Sequence, residues 1–173
     1  MFLDRDGVLN RANIVDGKPY PPAGLEDVKV LPGAVTTCHR LASSAYLLLG
    51  VTNQPDVARG TQSRQVVESI NALLLSQLPI REILVCYHDD PDDCDCRKPR
   101  PGLILRAADK YGLDLSGSWL VGDRWKDIAA GQAAGLRTVL VDYHYQEEFA
   151  ADPPDFSVPD VALVADIILE ASV

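Results

Sequence analysis

The stretch "MFLDRDGVLN" (residues 1–10) runs three apolar residues into Asp4, passes Arg5, Asp6 and Gly7, and turns apolar again at Val8 and Leu9 before Asn10. An apolar run that ends on acids and a glycine reads as a strand giving way to a loop. Two carboxylates one residue apart at such a point repel each other unless a positive group lies between them. What that group is must be read from the rest of the chain.

Outward from this stretch, short β-rich apolar segments recur at "AYLLLGV" (45–51), "REILVCY" (81–87), "SWLVG" (118–122) and "TVLVDY" (138–143). Helical patterns separate them at 33–43, 63–77, 102–111 and 125–134, and "DVALVADIILEA" ends the chain as an amphipathic helix over 160–171. The Pro- and Asp-rich "ADPPDFSVPD" (151–160) before it reads as a loop. Near-continuous apolar strands alternating with helices predict an α/β fold: a doubly wound, Rossmann-like parallel sheet with helices on both faces. Such sheets bind ligands beyond the carboxyl ends of their strands. The residues there are Asp4 and Asp6, then Thr52 and Asn53, then Cys86 and His88, then Asp123.

The chain has 173 residues, 47% hydrophobic and 24% charged, which predicts one domain spanning 1–173. A formal net charge of −9 argues against a nucleic-acid or anionic-membrane surface, because either needs a basic stripe. No apolar run reaches the length of a membrane span and the first residues lack the order of a signal peptide, so a soluble cytoplasmic protein is expected, as a monomer. Only three residues precede Asp4, which puts in question whether Met1 is the natural start.

An aspartate pair plus a distant aspartate can hold a hard divalent cation through oxygens, and Mg²⁺ is the usual ion where a phosphate shares the site. With the hydroxyl of Thr52, the amide of Asn53 and the ammonium of Lys98 around it, this is an inventory for phosphoryl transfer. The four segments "FLDRDGVLN", "VTN", "RKPRPG" and "VGDRWKD" stand in the order of the haloacid dehalogenase (HAD) superfamily motifs, and the chain resembles those aspartate-nucleophile phosphatases from residue 2 to residue 127. More narrowly it resembles the capless branch, since no segment between the motifs is long enough to form a cap domain.

The resemblance implies that Asp4 is the nucleophile and that Asp6 protonates the leaving oxygen, then takes a proton from water, with a pKa above that of Asp4. It implies Mg²⁺ on Asp4, on Asp123 and on the backbone carbonyl of Asp6, with Thr52 and Lys98 holding the phosphoryl group and Asn53 lending donors. Asp127 either orients the metal site or favours a helix N-terminus, and Asn10 braces the loop or supports the site.

The segment "CYHDDPDDCDC" has the pattern C-x-H-x5-C-x-C, so Cys86, His88, Cys94 and Cys96 can close a tetrahedral Zn²⁺ site. It matches the zinc loop of the capless branch and runs directly into Arg97 and Lys98, which predicts a structural Zn²⁺ that fixes where Lys98 points. Cys38, outside the loop, reads as a buried thiol on a helix face.

Members of that branch act on heptose 1,7-bisphosphate or histidinol phosphate. The resemblance implies substrate recognition by Arg97, and Arg59, Arg100 and Arg124 could add charge for a second phosphate or simply decorate the surface. "RKPRPG" and the lack of a fused second domain favour the heptose bisphosphate, while five aspartates in the zinc loop would suit the aminium of histidinol phosphate. Pro55-Asp56 replaces the small Ser-Gly pair usual after "TNQ" and alters the backbone beside the phosphate. Two further readings compete: a nucleic-acid 3′-phosphatase, disfavoured by charge, and a non-catalytic zinc-stabilised binding module, disfavoured by the full set of acids.

Overall fold

The structure, a computed structural model, describes residues 1–171. Six strands form one sheet in the order β5-β4-β1-β6-β7-β8, every pair parallel: β1 (Phe2–Leu3), β4 (Leu49–Asn53), β5 (Glu82–Cys86), β6 (Trp119–Gly122), β7 (Arg137–Val141) and β8 (Phe156–Val158). Alternation along the strands splits the core. Leu3, Trp119, Val121 and Val139 face one way, onto α1 (Pro32–Ser43), α2 (Arg64–Gln77) and α5 (Val164–Glu170); Phe2, Leu49, Val51 and Leu120 face the other, onto α3 (Gly102–Tyr111) and α4 (Trp125–Ala133). Both faces are therefore covered, as a parallel sheet requires.

Local chemistry sets the helix ends. Pro32 opens α1 where no backbone donor is needed, the Ser63 hydroxyl accepts the Val66 N–H at 3.1 Å to start α2, and Gly112 at φ +62° ends α3. Cys38 is buried on α1 and Trp119 is buried in the sheet, as expected. His39 and His144 are exposed.

Four segments differ from the sequence reading. The strand expected over 45–51 runs over Leu49–Asn53, so Thr52 and Asn53 are its last residues rather than its successors. The expected loop at 151–160 contains β8, whose Phe156 pairs with Val139. Flanking prolines hid it, and they are tolerated because this is an edge strand. The helix expected from 160 is a 3₁₀ turn over Val161–Leu163 followed by α5. Residues 13–20, given no element, form an antiparallel hairpin of β2 (Asn13–Val15) and β3 (Lys18–Tyr20), turning at Asp16 (φ 48°) and Gly17 (φ 72°). A D-G pair with both residues left-handed suits a tight hairpin turn, so that signal stood in the sequence.

The chain crosses from β5 on one side of β1 to β6 on the other. The crevice between the carboxyl ends of β4, β1 and β6 is thus the topological switch point.

Candidate active site

Asp4 leaves β1 with its N–H bonded to the Val121 carbonyl at 2.9 Å, Asp123 follows β6, and Asp127 lies in the first turn of α4. Their carboxylate oxygens lie within 4.8 Å of one another and all three residues are buried. Two glycines allow this approach. A side chain at Gly7 (φ +94°) would put its Cβ 1.9 Å from Asp123 Oδ2, and one at Gly122 would meet the Asp127 Cβ at 2.1 Å.

Lys98 supplies part of the missing positive charge. Its Nζ donates to Asp4 Oδ1 at 2.5 Å, to Asp127 Oδ1 at 2.5 Å and to the Val51 carbonyl at 2.8 Å. Burial by itself would lower the ammonium pKa, but Asp127 and Asp4 outweigh it and hold the group above its ordinary value. Burial pushes the Asp4 carboxyl up to about 7, against the pull of Lys98 and with the help of Asp127 and Asp6. Burial, then the charges of Asp4 and Asp127, also drive Asp123 well above the carboxylate range.

Three acids around one ammonium leave two negative charges uncompensated when all are ionised. Asp123 Oδ1 is also buried with no hydrogen-bond partner among the described residues. An all-oxygen donor set with that deficit fits a hard divalent cation such as Mg²⁺.

Asp6 stands apart from this trio. Its carboxylate accepts from Arg5 Nη2 at 2.8 Å, Asn10 Nδ2 at 2.9 Å and Gln54 Nε2 at 2.8 Å, so its side chain is turned from the metal trio while it still lines the cleft. The two acids of the opening stretch therefore have separate cations, Lys98 for Asp4 and Arg5 for Asp6. Arg5 is wholly buried and also donates to Asn71 Oδ1 at 3.0 Å. Its position between the acids was the available signal for a role that the sequence reading gave it no part in.

Thr52 is buried in the cleft wall, its hydroxyl accepting from Gln54 Nε2 at 2.9 Å. Asn53 makes a reciprocal pair with the Lys98 backbone, Nδ2 to the carbonyl and Oδ1 from the N–H, both at 3.0 Å. Its amide thus braces Lys98 rather than remaining free for a phosphoryl oxygen. Asp127 combines the two roles left open for it: Oδ1 holds Lys98, while Oδ2 accepts the Arg124 N–H at 3.1 Å and caps α4.

At the zinc loop, Cys86, Cys94 and Cys96 have Sγ separations of 2.9, 3.4 and 3.6 Å, and His88 Nδ1 lies 3.2 Å from Cys96 Sγ. A tetrahedron with Zn–S bonds of about 2.3 Å has S···S edges of about 3.8 Å, while a disulfide needs about 2.05 Å. The cluster therefore fits a structural Zn²⁺ and contains no disulfide, and it joins Lys98 through Arg97 alone.

The cleft above these groups has a volume of 280 Å³, and its walls include Arg59, Arg97 and Arg124. The zinc-loop acids do not form a bare negative rim. Arg59 Nη2 pairs with Asp89 at 2.6 Å, Arg97 Nε with Asp90 at 2.6 Å, and Arg100 and Arg106 with Asp93 and Asp95. Arg124 pairs with Glu147, and Arg100 braces the Asp93 and Cys94 carbonyls away from the cleft. Lys18, outside the four motifs, and Lys126, inside "VGDRWKD" but given no role there, also line the cleft. Trp125 walls a neighbouring depression instead.

Known proteins are similar to this chain in sequence and in fold. A family model described as HAD-hydrolase-like matches residues 95–164. The D-glycero-beta-D-manno-heptose-1,7-bisphosphate 7-phosphatase of Pseudomonas aeruginosa is 35% identical over 146 residues, covering 82% of this chain and 79% of its own. The D-glycero-alpha-D-manno-heptose-1,7-bisphosphate 7-phosphatase of Campylobacter jejuni is 32% identical, covering 82% and 80%. The crystal structure of D,D-heptose 1,7-bisphosphate phosphatase from B. bronchiseptica, complexed with magnesium and phosphate, superposes with a TM-score of 0.83 at 28% identity over 99% of this chain and 98% of its own. Among the described residues no helix is long and apolar enough to cross a membrane. The chain belongs to the HAD-like phosphatases, in the family of the heptose-bisphosphate 7-phosphatases, and is a phosphomonoester hydrolase.

Proposed function

We propose that the chain, acting as one catalytic unit over residues 1–173 and as a cytoplasmic monomer, removes the 7-phosphate of a heptose 1,7-bisphosphate. The observation that carries this reading is a small cleft with the Asp4–Lys98–Asp127 cluster at its floor and arginines on its walls. The reduced thiol cluster suits a reducing compartment.

Asp4 attacks phosphorus in line through a carboxylate oxygen, and the bond from phosphorus to the sugar oxygen breaks. Asp6, which Arg5, Asn10 and Gln54 hold as a carboxylate in the free protein, first takes a proton from solvent and then gives it to the leaving oxygen. Water then attacks the aspartyl-phosphate at phosphorus, Asp6 takes back a proton, and inorganic phosphate leaves with Asp4 restored. Lys98 and Thr52 donate to the phosphoryl oxygens, where charge spreads in the transition state. Asp4, Asp123 and the Asp6 backbone carbonyl would hold Mg²⁺, with Asp127 beside them; bound there, the ion neutralises the acids and draws charge from the phosphoryl group.

The pairing of Asp89 and Asp90 with Arg59 and Arg97 favours the bisphosphate over histidinol phosphate, because it removes the bare acidic rim that an aminium would seek. Phosphate release is to be measured on both anomers of the heptose bisphosphate, on histidinol phosphate and on an oligonucleotide 3′-phosphate, with and without Mg²⁺. Mg²⁺-dependent release from a heptose bisphosphate, abolished by Asp4→Asn, is expected. Preferential turnover of histidinol phosphate or the oligonucleotide would overturn the substrate assignment, and an active Asp4→Asn protein would overturn the mechanism.

A further inference from the structure

The segment after β7, "DYHYQE" (142–147), lies outside the four motifs, yet it crosses the acid centre as a strap. It is fastened along its length. Tyr143 Oη donates to the Gly7 carbonyl at 3.0 Å, Tyr145 Oη to Asp123 Oδ2 at 2.8 Å, and the Gln146 N–H to the Gly17 carbonyl at 2.9 Å, while Glu147 pairs with Arg124. The two tyrosine rings lie 5.7 Å apart at their centroids, so Tyr145 is packed in place and half-buried.

Asp123 has two oxygens with different fates. Oδ2 takes the Tyr145 hydroxyl, and Oδ1 is buried without a partner among the described residues. A carboxylate free to rotate must be ordered when it takes up a cation, whereas one anchored through a single oxygen already presents the other. Groups that fix a metal ligand from behind typically change metal affinity by about 10- to 100-fold.

We infer that Tyr145 is a positioning residue that sets the cation affinity of the acid centre by anchoring Asp123 through Oδ2 and leaving Oδ1 for the metal. This rests on the metal reading made above. It makes metal affinity depend on a segment whose other contacts reach the β2–β3 hairpin turn at Gly17.

Calorimetric titration of Mg²⁺ into the full chain, parent against Tyr145→Phe, tests it. Phe removes the hydroxyl and keeps the ring against Tyr143. His144→Asn, an exposed change on the same strap that tolerates its left-handed backbone, controls for disturbance of the segment. Tyr145→Phe is expected to weaken Mg²⁺ binding about tenfold and to raise the Mg²⁺ concentration for half-maximal turnover equally, with kcat at saturating Mg²⁺ retained. His144→Asn is expected to bind as the parent does. Parental affinity in Tyr145→Phe, or an equal loss in His144→Asn, overturns the role of Tyr145 alone. A parent that binds no Mg²⁺ overturns the metal reading along with it.

Discussion

Replacing Lys98 with Met keeps the unbranched stem as far as Cε and deletes the ammonium. Nζ is the shared donor to Asp4 and Asp127, each at 2.5 Å, and Lys98 is 4% exposed, so water does not replace it. Removing one member of a buried ion pair leaves an uncompensated charge and costs about 3–5 kcal/mol. For a domain of this size each kcal/mol lowers Tm by about 2–4 °C, so differential scanning calorimetry without added Mg²⁺ at about pH 8 should show a drop of roughly 6–20 °C. At about pH 5 the drop should shrink, because Asp4, already raised to about 7 in the parent, takes a proton and removes part of the repulsion. Mg²⁺ should restore part of the stability but not the turnover, since the phosphoryl group has lost a donor worth about 10²–10³ in kcat. A Lys98→Met protein melting within about 2 °C of the parent at about pH 8 would refute the view that Lys98 neutralises the centre.

Cys94→Ser should lose Zn²⁺ by atomic absorption, lower Tm and reduce kcat through misplacement of Lys98; a zinc-free variant with full activity would show that the clamp does not govern that lysine. Gly122→Ala places a Cβ 2.1 Å from the Asp127 Cβ, so it should displace Asp127 from Lys98 and cut kcat by at least about tenfold, which steady-state kinetics would check. In the metal-free protein the raised Asp4 carboxyl binds a proton that the unfolded chain lacks between about 4 and about 7, so stability should fall as pH rises through that window. Mg²⁺ competes with the same proton. Its affinity, measured by titration, should therefore rise over the same range and level off above it.

The sequence by itself determined the alternation of strands and helices, the strand ends on which Asp4, Thr52 and Asp123 stand, and the four zinc-type ligands, because periodicity and close spacing are local properties. The Asp16–Gly17 turn was legible in the same way, although the hairpin passed without an element. Strand β8 was not legible, since three residues among prolines become a strand only when β7 offers its edge. Tertiary structure alone brought Lys98 to Asp4 across 94 residues and Tyr145 to Asp123 across 22, and paired Asp89, Asp90, Asp93 and Asp95 of the zinc loop with arginines. The physical reason is that charge neutralisation acts through space at a few ångströms, so it depends on how the sheet closes its switch point rather than on neighbours along the chain.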